Sequence, residues 1–236
     1  MAISAETFFH FTSFTNIKKI LECRYFQVHY SKEQFSFRGV PIFHYAPMVC
    51  FCDIPLTQTQ EHIKTYGNYA IGLSKDWGIG NGLNPVFYIN ELEITVTLEN
   101  LTLGIQSHEI GTGAFEHIFS FMKTYQGPNL KNPKNGIKVF YNEKEWRFVP
   151  YVKQFQDKIM KQIYWENDSF LSDIDYIKGH RFFTLPFKLS DVRYIISNTE
   201  KNKTKLLTFL KKSGYSEFLQ KQSVKVLTTN EIFGNF

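Results

Sequence analysis

Short runs dense in aromatic and β-branched residues recur along this chain, and each has the length of a strand. Thr7-Phe8-Phe9-His10-Phe11-Thr12 is the first. Met48 to Ile54, Tyr69 to Leu73, Pro85 to Ile89, Val192 to Ser197 and Val224 to Leu227 follow. Runs this short, bounded by Pro, Gly, Asn or polar clusters, read as strands and not as helices. Helical spacing fills several of the gaps. Ile17, Ile20 and Leu21 make one apolar face of a helix that Ser13 or Thr15 can cap. A polar helix is expected over Thr57 to Thr65. A helical pattern runs from about 91 to 126, with Phe115, Ile118, Phe119 and Met122 as its apolar stripe. Further helices are expected near Phe155 to Tyr164 and over Lys201 to Lys212. With 24 Phe and 13 Tyr, rings supply much of the core. The expected fold is α+β: a single domain over residues 1–236, with an aromatic-rich mixed β-sheet core flanked by helices. The C-terminal strand, helix and strand form either a crossover feeding a parallel pair or an edge addition to that mixed sheet. Residues 24–46 are mixed, with a turn at Gly39 to Pro41, and Gly127 to Gly136 reads as an exposed loop. Gly78, Gly80 and Gly82 mark a loop. They are not a dinucleotide fingerprint, because no helix opens after them.

Charge and cysteine content narrow the function classes. The formal net charge of +5 comes from 27 basic and 22 acidic residues. That excess permits an anionic ligand such as a nucleotide and does not demand nucleic acid. A nucleic-acid-binding regulator using the basic charge and exposed aromatics is nevertheless one function class to keep open. Cys23, Cys50 and Cys52 are too few, and odd in number, for a disulfide framework. They fit a reducing cytosol, so a cytoplasmic location is expected. Cys50 and Cys52 lack a second ligand pair at usable spacing, so no metal site is expected. The N-terminus has no signal-peptide pattern, and no apolar run reaches the roughly 18 residues of a membrane span.

The most chemically suggestive stretch is Tyr141 to Pro150, which alternates charged with aromatic or β-branched residues. Read as a strand, it points Glu143, Glu145 and Arg147 one way and Lys144, Trp146 and Phe148 the other. The apolar set is expected to bury, and the charged set to line a surface or cleft. Two carboxylates one pleat apart can hold different protonation states, or divide cation stabilisation from nucleophile activation. The plainer alternative is a solvated strand face with a cross-pleat ion pair. On the first strand, His10 and Thr12 share a face and suit hydrogen bonding to a sugar diol; a satisfied core histidine is the alternative. Asp53 is placed to cap a helix near Thr57 or to stand at a strand end. His62 and Tyr66 share a helix face. No Walker loop, zinc helix or hydrolytic triad is present.

Several blocks together resemble the AbiGi family of bacterial abortive-infection proteins. They are Phe9 to Thr12, Pro47 to Leu56, Tyr66 to Gly78, Asn84 to Tyr88 and Glu143 to Arg147. The resemblance covers the chain from about residue 7 to at least 150. It implies phage defence and partnership with a cognate toxin, antitoxin or other defence-system protein. A more distant resemblance, to the ADP-ribosyltransferase superfamily and its DarT-like toxins, rests on the His10-x-Thr12 strand, the helix after it and the late Glu143-x-Glu145. It implies NAD as substrate, Glu145 as the catalytic carboxylate and Glu143 on the acceptor side, with nucleic acid or protein as acceptor. His10 and Thr12 would hold a ribose, Tyr66 or Tyr69 would stack on nicotinamide, and Arg147 would join them in binding the dinucleotide. Breaking the nicotinamide–ribose bond develops an oxocarbenium-like cation, which a held carboxylate stabilises. The other reading is a non-catalytic antitoxin or interaction module on the same scaffold.

Overall fold

A computed structural model describes residues 5–37, 40–90, 117–129, 136–150, 161–163 and 181–234. The chain opens with β1 (Thr7–Thr12), α1 (Phe14–Cys23), β2 (Tyr25–Gln27), β3 (His29–Phe37) and β4 (Val40–Cys52). Next come α2 (Gln60–Tyr66), β5 (Tyr69–Ser74), α3 (Lys75–Gly80), β6 (Asn84–Pro85) and β7 (Phe87–Ile89). The middle of the chain gives β8 (Met122–Thr124), β9 (Gln126–Pro128), β10 (Ile137–Val139), β11 (Glu145–Phe148) and β12 (Lys161–Ile163). The C-terminal part supplies β13 (Thr184–Pro186), β14 (Val192–Ser197), α4 (Glu200–Lys212), α5 (Ser216–Gln220), β15 (Lys225–Thr228) and α6 (Thr229–Phe233). The expected α+β class with a mixed sheet holds. The described residues divide into two compact units. One comprises residues 1–26, 50–83 and 185–236, and the other residues 27–49 and 84–184.

In the first unit β1 pairs antiparallel with β5, from Thr7 opposite Ser74 to Thr12 opposite Tyr69. β5 pairs antiparallel with β14, and β14 pairs parallel with β15. Cys52, at the end of β4, pairs with Phe9. A parallel pair needs a crossover, and α4 provides it, so the C-terminal strand, helix and strand form a crossover unit. The sheet buries both faces. Phe9 and Phe11 join Cys52, Ile54, Ala70, Ile196 and Ile232 on one side. On the other, the rings of His10, Phe26, Phe51 and Trp77 contact one another, with His10–Phe26 at 5.1 Å and Phe51–Trp77 at 5.6 Å. Helix α1 starts where Ser13 accepts the Asn16 N–H and ends at Arg24, whose φ of 59° is left-handed. Ile17 and Leu21 are its buried face.

Two glycines here are sterically required. Gly67 ends α2 at φ 125°, and a Cβ there would lie 2.3 Å from the Thr12 carbonyl oxygen. A Cβ on Gly78 would lie 2.4 Å from the Phe8 ring. Gly78 and Gly80 lie in α3, which Ser74 caps through the Trp77 N–H, and not in the expected loop. Asp53 stands at the strand end, and the N-cap of the helix after it is Thr59. Asp53 accepts the Ala5 N–H at 3.0 Å and pairs with Lys75 at 2.6 Å.

In the second unit β3 and β4 form a long antiparallel pair, from His29 opposite Met48 to Phe37 opposite Val40. The segment expected to be mixed is thus a hairpin, and β4 begins well before Met48. β12 also pairs with β4. β11 pairs antiparallel with β6, with Trp146 opposite Pro85. β7 and β8 run parallel, and β9 and β10 antiparallel. Phe35, Ile89 and Met122 form a small core on which Phe119 packs.

The helical reading of 91–126 fails at its end, because Met122–Thr124 pairs with Phe87–Ile89 as a strand. Ile118 is 60% exposed and so is no core residue. Residues 91–116, including Phe115, lie outside the described residues. The loop expected at 127–136 starts too early, because Gly127 and Pro128 belong to β9 and pair with Lys138 and Ile137; residues 130–135 lie outside the described residues. Of the helix expected near 155–164, residues 161–163 are strand; the rest lies outside the described residues. Among the described residues no helix is long and apolar enough to cross a membrane.

Candidate functional site

The stretch expected to be one continuous strand is two elements joined by a kink. Phe140–Glu143 is a 3-10 turn, Lys144 takes a left-handed φ of 45°, and the strand β11 begins only at Glu145. A left-handed residue breaks the two-residue alternation, so Glu143 does not share the strand face of Glu145 and Arg147. The burial is also the reverse of that expected. Glu143, Glu145 and Arg147 are 4%, 7% and 0% exposed, whereas Lys144, Trp146 and Phe148 are half-buried.

Buried charges persist only when paired, and these are paired throughout. Lys123, from the middle of β8, reaches Glu143 Oε2 at 2.8 Å and Glu145 Oε2 at 2.7 Å. Arg147 Nε donates to Glu145 Oε1 at 2.7 Å, and its terminal nitrogen pairs with Glu33 of β3. Lys138, on β10, pairs with Glu143 Oε1 at 2.6 Å. Every carboxylate oxygen of Glu143 and Glu145 thus meets a cation. Among the described residues, three carboxylates face three cations, and these six charges balance.

Uncharged groups complete the shell. Arg147 also donates to the Ser120 and Met122 carbonyls, at 2.7 and 3.2 Å. The Glu145 N–H donates to the Tyr88 hydroxyl at 2.8 Å. His44, 2% exposed, lies 3.0 Å from the Ser120 hydroxyl.

The protonation states follow from this surround. Burial alone would raise the Glu145 carboxyl, but Arg147 and Lys123 outweigh it and hold the group far below the usual carboxylate range. Burial likewise opposes the charge on Glu143, and Lys123 and Lys138 reverse that into a net lowering. Burial would lower Lys123, yet Glu145, Glu33 and Glu143 hold it well above its ordinary value. Burial, aided by Arg147, pushes His44 down to about 4 and leaves it neutral. Burial also raises the Tyr88 phenol. None of these groups sits near neutrality, where a general acid or base works best. The cluster is built to hold charge in place.

The other residues singled out from the sequence belong to the first unit. His10 Nδ1 lies 2.9 Å from the Cys50 carbonyl oxygen, with its ring among Phe26 and Phe51. His10 is half-buried. Thr12 is 7% exposed. Tyr66 packs on His62 at 5.8 Å between ring centroids, as their helical spacing implies. Tyr69 packs against Phe14, donates its hydroxyl proton to Asn198 and accepts from Asn202, both at 2.8 Å. Its ring is pinned from both ends, whatever it contacts besides. Glu33, Lys123, Lys138 and Tyr88 escaped the sequence reading. Each comes from a different strand, and no local spacing links them to Glu145. The one sequence signal was Lys123 inside a short run that starts with Met122, a cation where a buried strand residue belongs.

DarT from Thermus sp. 2.9, solved in complex with NAD+, superimposes on this chain with a TM-score of 0.38 at 10% identity, covering 97% of each chain. The abortive phage resistance protein AbiGi of Lactococcus lactis subsp. cremoris is 32% identical over 200 residues, which span 71% of this chain and 78% of that protein. A family model described as "Putative abortive phage resistance protein AbiGi, antitoxin" matches residues 24–198. The resemblance drawn from the sequence blocks is therefore borne out, and the chain belongs to the AbiGi family.

Proposed function

We propose that this chain serves in phage defence as a partner-binding, non-catalytic component, an antitoxin that restrains a cognate toxin in the cytoplasm. The observation that carries this reading is that a cation meets each carboxylate oxygen of both glutamates. All four carboxylate oxygens are taken by Lys123, Lys138 and Arg147. A carboxylate stabilises an oxocarbenium-like centre through its uncompensated negative field. Here the field of each carboxylate is cancelled at contact distance, so little is left to act on a cationic transition state. The cluster then works as an internal brace. The antitoxin description of the family and its phage-resistance relative support the same role.

One observation favours a second reading, in which the chain transfers ADP-ribose from NAD to a nucleic-acid or protein acceptor. Glu145 is buried and held ionised, as a carboxylate that stabilises an oxocarbenium ion must be. In that reading Glu145 is catalytic and Glu143 serves the acceptor side. Arg147, His10, Thr12, Tyr66 and Tyr69 bind the dinucleotide.

Titrating the whole chain with NAD in a thermal-shift assay, with nicotinamide release measured in parallel, separates the two. Ligand that binds only the folded state raises the melting temperature with concentration. The antitoxin reading expects no shift and no nicotinamide. It further expects the chain to be harmless when expressed alone and to rescue cells from the toxicity of its neighbouring gene product. A concentration-dependent shift with nicotinamide release, or failure of rescue by a folded chain, overturns it.

A further inference from the structure

The chain's basic surplus is concentrated on two helices. Helices α1 and α4 together carry seven lysines and two glutamates, Glu22 and Glu200. The difference of five equals the formal net charge of the whole chain. Within α4, Lys201, Lys205 and Lys212 recur at i, i+4 and i+11 and so form one stripe, with the exposed Thr204 and Thr208 beside it. The stripe lies on the side away from Leu206 and Leu210, which are fully buried. These three lysines are exposed and make no ion pair among the described residues. Lys203, by contrast, is held by Glu231 at 2.6 Å. From α1, Lys18 sets its ammonium 5.3 Å over the Phe209 ring, which places a fourth cation on the flank of the stripe.

We infer that this lysine stripe docks the phosphate backbone of double-stranded nucleic acid without reading its sequence. Lysine binds phosphate as a point charge, whereas planar bidentate recognition calls for arginine. From Lys201 to Lys212 a straight helix rises about 16 Å, a length over which a duplex presents roughly ten phosphate charges. Single strands are bound on exposed aromatic platforms. The rings that border this stripe, Phe14 and Phe209, are half-buried, and Lys18 lies over both. A rigid, regularly spaced polyanion is therefore the partner whose charge density fits. The inference stands apart from the reading of the carboxylate cluster, since none of its residues belongs to that cluster.

The test measures fluorescence anisotropy of a labelled random-sequence DNA duplex against the full chain as salt is varied. Neutralising four phosphates gives a slope of log K against log salt of about −3.6, or roughly a hundredfold loss of affinity between about 50 and 200 mM salt. The triple variant Lys201→Gln, Lys205→Gln, Lys212→Gln should keep its melting temperature and reduce that slope by about 2.7. Lys221→Gln should bind as the unaltered chain does, because Lys221 is an exposed lysine already paired with Glu217 at 2.6 Å. Absence of duplex binding at low salt overturns the inference, as does an unchanged slope in a folded triple variant. Displacement of the duplex by polyglutamate at equal charge concentration would assign the stripe to an acidic protein instead.

Discussion

Replacing Lys123 by Met removes the ammonium that bridges Glu143 at 2.8 Å and Glu145 at 2.7 Å while leaving a side chain of similar length. At an effective dielectric of about 20 each of these contacts is worth roughly 6 kcal/mol of Coulomb attraction. Desolvation of the ammonium, several kcal/mol, and repulsion from Arg147 take back much of that. What remains matches the usual cost of removing one partner from a buried pair, about 3–5 kcal/mol. For a chain of this length that corresponds to a fall in melting temperature of about 6–20 °C.

The pH dependence gives the sharper test. In the unaltered chain both glutamates have lowered folded values, so their stabilisation is present above the unfolded carboxylate range, about 4.3, and is lost as pH falls through the lower folded values. Lys123 has a raised folded value, so its share is present below about 10.4 and is lost as pH rises through the folded value. Without Lys123 the cluster carries one surplus negative charge, and the buried glutamates are expected to titrate upward. The deficit of Lys123→Met should therefore be largest near neutrality and shrink as the solution approaches the carboxylate range. The double variant Lys123→Met, Glu143→Gln restores the charge balance and should recover part of the loss. Urea denaturation across pH measures all of this. A deficit under about 1 kcal/mol at neutral pH, or one that grows on acidification, would refute the account of the cluster as a charge-balanced brace.

Two further outcomes follow from other parts of the molecule. His44 is buried neutral with its value pushed down to about 4, so its contribution to stability is present above about 6.5 and is lost as pH falls towards 4, by an amount on the order of 3 kcal/mol; His44→Gln, assayed by denaturation at several pH values, should flatten that slope. Gly67→Ala forces a left-handed Cβ to within 2.3 Å of the Thr12 carbonyl oxygen and should cost at least about 1–3 kcal/mol, read as a lower melting temperature than that of Gly80→Ala, where an added Cβ meets nothing within 4 Å.

Local order was legible in the sequence wherever near neighbours set it. The run Thr7–Thr12 declared a strand because its aromatic and β-branched residues fit a sheet buried on both faces. Ser13 declared the start of α1 because its hydroxyl can satisfy an amide that the helix leaves without a partner. The strand, helix and strand at the C-terminus, and the carboxylates of the Glu143–Arg147 segment, were visible for the same kind of reason. Which way those carboxylates face was not visible. Alternation predicts two faces but not which of them is buried, and the left-handed Lys144 took Glu143 off the strand altogether. Only tertiary structure decided that Lys123, Lys138 and Glu33, from three other strands, would converge on Glu143, Glu145 and Arg147. Electrostatic energy depends on distance in space and on exclusion of water, and neither quantity is written in the order of residues along a chain.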